Sequence, residues 1–148
     1  MKKSEQVLNV LLVDLFNDIL KIEQKSLTQG NFSDLSLTEV HTLEAIGLYD
    51  SKTMSEVASK LEITVGTLTT AINKLIKKGY VERKRIEEDR RVVMVQLTKK
   101  GKLVYRVHEK FHSDMIKSTI DCMSEEEEKV LISSLEKLNI YFKEMYKI

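Results

Sequence analysis

The metal-binding spacing in this chain of 148 residues belongs to His108 and His112, which with Glu109 spell H-E-x-x-H. Four residues apart on a helix, two imidazoles share one face and can chelate zinc, while the glutamate between them can act as a general base. Peptide hydrolysis asks for more: a third ligand and a substrate cleft on a dedicated scaffold. That requirement weighs against a zinc hydrolase, and the chain is expected not to be an enzyme. Cys122 is the lone cysteine, so it forms no internal disulfide, in keeping with a reducing compartment. No positive charge adjoins it to activate the thiol, which reads as inert.

A different chemistry is written between residues 53 and 98. Two short helical patterns, Met54–Leu61 and 64–78, run through Gly79 into a basic strand, a charged turn (Glu87-Glu88-Asp89-Arg90-Arg91) and a second strand. That order is a helix-turn-helix followed by a β-wing, which lets one helix and one hairpin meet adjacent grooves of a duplex. Charge agrees. Residues 73–102 hold 11 Lys or Arg against 4 acids, a local +7 that leaves −6 for the remainder of a chain whose net charge is +1. A field segregated in this way steers a polyanion to one face. A scaffold protein, which would show neither cleavage nor salt-sensitive DNA binding, is the contrasting class.

Within 64–78, Val65, Leu68, Ile72 and Leu75 recur at helical spacing and are expected to face the core. Gly66, Thr67, Thr70, Asn73, Lys74 and Lys77 then occupy the opposite face, with Thr69 grouped among them. Short hydroxyls and an amide suit base edges and thymine methyls, and lysines suit phosphates. Thr64 is the expected N-cap, and its helix terminus can also take a phosphate. In the hairpin, strands 80–86 and 92–97 carry Arg83 and Arg85 toward phosphates, and Arg90 at the tip is long enough for a narrow minor groove. Asp89 is assigned to hold the wing by pairing with Arg91 or Arg83, Arg91 also counting among the DNA-facing cations.

The elements that position these residues are mostly helical. Proline is absent where average usage would give about seven, so long uninterrupted helices are expected. Leu8, Leu12, Leu15, Ile19 and Ile22 form one apolar seam near the start, with Val7, Leu11 and Val13 beside it. Leu131, Leu135, Leu138, Phe142 and Met145 repeat the pattern near the end. A helix rarely carries two seams unless two neighbours cover them, and both terminal helices are expected to pack on a second subunit, the alternative being that they cap their own winged domain. Ser36-Leu37-Thr38-Glu39, Thr53-Met54-Ser55-Glu56 and Ser124-Glu125-Glu126-Glu127 fit the capping box, and 30–34 and 47–52 read as loops. Asp14 and Asp18 interrupt the first apolar stretch, so no signal peptide or membrane span is expected and the chain is placed in the cytoplasm.

Glu56-Val57-Ala58 with Leu61, Lys78-Gly79-Tyr80-Val81-Glu82-Arg83, Asp89-Arg90-Arg91 and Val95-Gln96-Leu97-Thr98-Lys99-Lys100-Gly101 together resemble the multiple-antibiotic-resistance regulator (MarR) family over essentially the whole chain. The resemblance implies a mainly α fold with a small β-wing: a single domain over 1–148, with a winged helix-turn-helix lobe at 36–98 flanked by dimerisation helices at 5–28 and 99–148. The runs 36–47, 65–70 and 106–112 further resemble the family's fatty-acid-synthesis repressor branch. That branch implies a homodimer on a palindromic operator upstream of fatty-acid synthesis genes, with acyl carrier protein bearing a long acyl chain as co-repressor. The carrier is strongly acidic, and Arg106 and Lys110 are the candidate docking cations. The zinc-sensing branch places a carboxylate late in the first helix, one histidine in the second and two in the fifth, and Glu23, His41, His108 and His112 occupy similar places. Zinc ligation by these four and a metal-free hydrogen-bonded junction, with Glu23 on an imidazole, both stay open.

Overall fold

The computed structural model describes residues 1–148, in the order α1 (Lys3–Thr28), α2 (Leu37–Ile46), β1 (Lys52–Thr53), α3 (Met54–Leu61), α4 (Val65–Lys77), β2 (Val81–Arg85), β3 (Val93–Leu97), α5 (Lys99–Asp121) and α6 (Glu125–Tyr146). The fold is mainly helical with a three-stranded antiparallel wing sheet, ordered β1-β3-β2. Two compact units divide the chain, Met1–Phe111 and His112–Ile148. No helix is long and apolar enough to cross a membrane.

The core of the first unit draws on the helices and the central strand of the winged lobe: Val40, Leu43 and Ile46 of α2, Val57 of α3, Leu68, Ile72 and Leu75 of α4, Val95 of β3 and Val104 of α5 are all fully buried. Leu68, Ile72 and Leu75 follow the helical period, so burying them fixes which face of α4 is left outward. Val65 departs from the expected stripe. It is the first residue of α4, beyond the end of the packed seam, and is 46% exposed.

The three helix starts marked by hydroxyl residues are capped as expected, but only one of the three boxes is reciprocal. Ser124 accepts from the Glu127 amide and receives the Glu127 carboxylate on its own N–H at 2.8 Å. Ser36 and Thr53 supply the hydroxyl half, accepting from the amides of Glu39 and Glu56. The Glu39 carboxylate is diverted to Lys78 Nζ at 2.9 Å, bracing α2 against the end of α4. A tertiary ion pair has displaced a local cap.

The passage from α4 into the wing rests on two glycines. Gly79 adopts φ +84°, closing α4 in a Schellman turn in which the Tyr80 amide donates to Leu75 O and the Gly79 amide to Ile76 O. Gly101 sits where α5 crosses the chain at Tyr80, and a Cβ there would lie 2.1 Å from the Tyr80 carbonyl oxygen. Thr98 ties the same crossing, donating to Gly79 O at 2.6 Å and accepting from the Gly101 amide. The Leu97-Thr98-x-x-Gly101 pattern is thus the fastener of the wing to α5. Tyr80, fully buried, donates its hydroxyl to Asp34; burial first, and then that carboxylate, push its pKa well above the usual phenol range.

The wing is shorter than the strands expected from sequence, and β1, which pairs Lys52 with Val95, was not foreseen. Two residues are too few to show a period-2 pattern. The register of the main hairpin runs from Val81 opposite Leu97 to Arg85 opposite Val93. In β2 the basic run Arg83-Lys84-Arg85 is exposed throughout.

Candidate nucleic-acid interface

The outward face of α4 carries Gly66, Thr67, Thr70, Asn73, Lys74 and Lys77, all exposed, with Thr69 half-buried at its flank. Thr64 is the N-cap, accepting from the Thr67 amide at 3.1 Å, and its hydroxyl meets that of Thr67 at 2.9 Å. Thr69 and Thr70 turn their hydroxyls back onto the helix, donating to Val65 O and Gly66 O. Beside this face a groove of about 420 Å³ opens toward the start of α2, lined by Ser36, Thr38, Thr67, Thr70 and Lys74 among others.

Asn73 is joined to the wing. Its Oδ1 accepts from Arg83 Nη2, linking the outward face of α4 to β2. Arg85, Arg90 and Arg91 are exposed along the wing and its tip. Asp89 does hold the turn there, but its Oδ1 accepts from the Arg91 backbone amide at 3.0 Å, while Val92 N–H donates to Asp89 O. The pairing expected with an arginine side chain is corrected to this Asx-type turn. A short carboxylate two residues before an amide reaches it more readily than it orders a long guanidinium in solvent.

Glu23 of α1, His41 of α2 and His108 of α5 converge behind the winged lobe. His108 is buried and uses both ring nitrogens, Nε2 on Glu23 Oε1 at 2.8 Å and Nδ1 on Glu44 Oε1. His41 Nε2 stands 3.9 Å from the same Glu23 oxygen, and its ring meets that of His108 edge-on at 6.1 Å. The Glu44 hydrogen bond, followed by Glu23, holds the His108 imidazolium pKa above its ordinary value, against the opposing effect of burial. Glu44 was missed in the sequence, although its place three residues after His41 puts both on one face of α2.

Candidate metal ligands from Glu23, His41 and His108 lie within 4.8 Å of one another. One carboxylate oxygen and two imidazole nitrogens suit an open zinc site, with Glu44 as the outer partner of the His108 ring. His112 follows one turn further along α5, at the start of the second unit. A peptidase reading of H-E-x-x-H meets an obstacle here, since His108 is sealed from solvent between two carboxylates. Arg106 and Lys110, the candidate docking cations, are exposed on α5.

The MarR family profile matches residues 35–93, from the end of the 30–34 loop through the start of β3. Over 95% of this chain and 99% of the other, the fold superposes with a TM-score of 0.88 on Streptococcus pneumoniae FabT, solved in complex with DNA, at 43% sequence identity. The chain belongs to the MarR family. Among its curated relatives, the HTH-type transcriptional regulator BilQ of Clostridium symbiosum is 30% identical over 105 residues, covering 70% of this chain and 72% of BilQ. The Bacillus subtilis regulator PchR is 24% identical over 138 residues, covering 91% of this chain and 78% of PchR. These MarR-type relatives are named as transcriptional regulators, and this chain is likewise a MarR-type regulator and no enzyme.

Proposed function

We propose that this MarR-family regulator is a homodimeric, sequence-specific repressor that binds a palindromic operator in the cytoplasm. The observation that carries the reading is the 43% identity, over 95% of the chain, to a FabT solved on DNA, together with the positive charge gathered along α4 and the wing. Residues 36–98 form the reading head, and 5–28 with 99–148 supply dimerisation. Thr67, Thr70, Asn73 and Lys74 meet the major groove with Thr69 beside them, Arg90 the flanking minor groove, and Lys77, Arg83, Arg85 and Arg91 the phosphates, while the helix terminus capped by Thr64 takes a further phosphate. Two such heads match half-sites about one helical turn apart, and an effector acts by changing their separation.

The genes of fatty-acid synthesis are the proposed targets, with acyl carrier protein bearing a long acyl chain as co-repressor. Arg106 and Lys110 are the proposed docking cations for that acidic carrier. The test is an electrophoretic shift with the chain's own promoter region, with and without long-chain acyl carrier protein. The loaded carrier is expected to tighten the complex and the unloaded carrier to leave it unchanged; equal shifts with both would refute the co-repressor assignment.

A zinc-responsive regulator is the second reading, favoured by the convergence of Glu23, His41 and His108. Zinc would then raise the melting temperature of the wild type and leave His41→Ala unmoved.

A further inference from the structure

The hydroxyls on the first two turns of α4 are largely spent within the helix. Thr69 Oγ1 donates to Val65 O at 2.8 Å and Thr70 Oγ1 to Gly66 O at 3.4 Å, while Thr64 Oγ1 is bound to the amide and hydroxyl of Thr67. A threonine whose oxygen is folded back on the preceding turn leaves its methyl to point away from that carbonyl. Val65, at the tip of the same helix, exposes 46% of its surface, and Ile63 in the turn before it exposes 37%. Gly66, next to Val65, adds no side chain of its own, so a base edge can come close to the helix. The N-terminal half of the reading face therefore offers the methyls of Val65, Thr69 and Thr70 beside threonine hydroxyls whose donor hydrogens are turned back on the helix.

We propose that Val65 and the methyls of Thr69 and Thr70 read thymine C5-methyl groups in the major groove by apolar contact, and that this contact, more than hydroxyl hydrogen bonding, selects bases at the centre of each half-site. The inference rests on the DNA-binding reading above. The partner chemistry is specific: in the major groove thymine alone of the four bases presents a methyl, and an apolar side chain gains by removing it from water. Asn73 complements this surface. With Oδ1 engaged by Arg83, its free amide hydrogens can donate to acceptors such as thymine O4 or guanine O6 and N7, whereas the bidentate grip on adenine would need that oxygen.

The experiment begins with duplexes recovered from a randomised pool by retention on the full-length protein. One such duplex is resynthesised with deoxyuridine for thymine at each position in turn, deleting a methyl and leaving base pairing and hydrogen-bonding edges intact. Wild-type affinity is expected to fall about fourfold for each half-site at one or two thymine positions, the value of a single buried carbon. Val65→Ala or Thr70→Ser is expected to lose that sensitivity at its own position. Retained duplexes whose affinity stays within twofold under every uracil substitution would overturn methyl reading while leaving the repressor assignment intact. Failure to retain any duplex, even in dilute buffer, would remove both.

Discussion

Glu23 and His108, 85 residues apart in sequence, meet in a buried hydrogen bond of 2.8 Å. The bond ties α5 to α1, and because Glu44 takes the other ring nitrogen, α2 is fastened at the same point. Three helices are thus joined through one imidazole. Either carboxylate alone would be satisfied by a neutral ring, but a ring that serves two carboxylates donates from both nitrogens and is held in its protonated form.

The charge state gives a pH dependence of defined sign. His108 has a folded pKa raised above the unfolded value, so its contribution to stability is complete below about pH 6.5 and is lost as pH rises through the folded pKa. Urea unfolding in the presence of a chelator is expected to give a midpoint that declines as the pH rises above about 6.5. His108→Gln should flatten the decline. Parallel profiles for the two proteins would show that His108 is not the group responsible. His108→Leu at pH 6 leaves Glu23 buried without its cation and is expected to cost about 3 kcal/mol.

At the wing tip, Asp89 accepts from the Arg91 backbone amide, and two substitutions separate that role from charge pairing. Asp89→Asn keeps the acceptor and is expected to retain the turn and its operator affinity, while Asp89→Ala should weaken binding severalfold through a disordered tip. An Asn variant as impaired as the Ala variant would restore the ion-pair explanation. The readout is fluorescence anisotropy with a labelled duplex at fixed salt.

What could be read in the sequence were features with a period or a local signature: the buried stripe Leu68, Ile72 and Leu75, the caps Ser36, Thr53, Thr64 and Ser124, and the charged turn 87–91. What could not be read depends on partners distant in the chain. Glu39 looks like the second half of a capping box until Lys78, 39 residues on, claims it. Val65 fits the core stripe by spacing alone, and only the end of the packed seam shows that it protrudes. Asn73 and Glu44 carry no signal of their tie to Arg83 and His108, because side-chain hydrogen bonds between elements leave no periodicity.

Gly101 lies where α5 crosses the Tyr80 carbonyl, and the 2.1 Å approach of an added Cβ is to backbone that cannot rotate aside. Gly101→Ala is expected to lose about 3 kcal/mol of stability, despite alanine's better helix propensity. Gly30, whose added Cβ would meet nothing nearer than 3.8 Å, supplies the control: Gly30→Ala should change stability by less than about 1 kcal/mol. Similar thermal midpoints for the two variants would contradict the close crossing.

Leu8, Leu11, Leu15 and Phe16 of α1 are each more than half exposed, as are Val130, Ile140 and Tyr141 of α6, with Leu131 and Leu135 also open to solvent. Faces this apolar need a partner surface, and the proposed homodimer provides it. Leu135→Glu is expected to shift the sedimentation coefficient from dimer to monomer at micromolar concentration and to abolish binding to a two-half-site duplex. A monomeric wild type would remove the dimer from the proposal.

Arg90 is exposed at the tip of the wing, in the turn that Asp89 closes onto the neighbouring amide. Its proposed place in a minor groove carries a cost and a signature. Replacing it removes one cation from the polyanion's field, so the slope of log affinity against log salt should shallow by about one unit. Because narrow A·T-rich grooves attract arginine through their potential more than through base-edge contacts, Arg90→Ala should weaken binding to all duplexes, with some excess for A·T-rich flanks. Lys74→Ala, proposed to act from α4, should instead weaken binding without that flank dependence. An unchanged salt slope for Arg90→Ala would place the wing tip off the DNA.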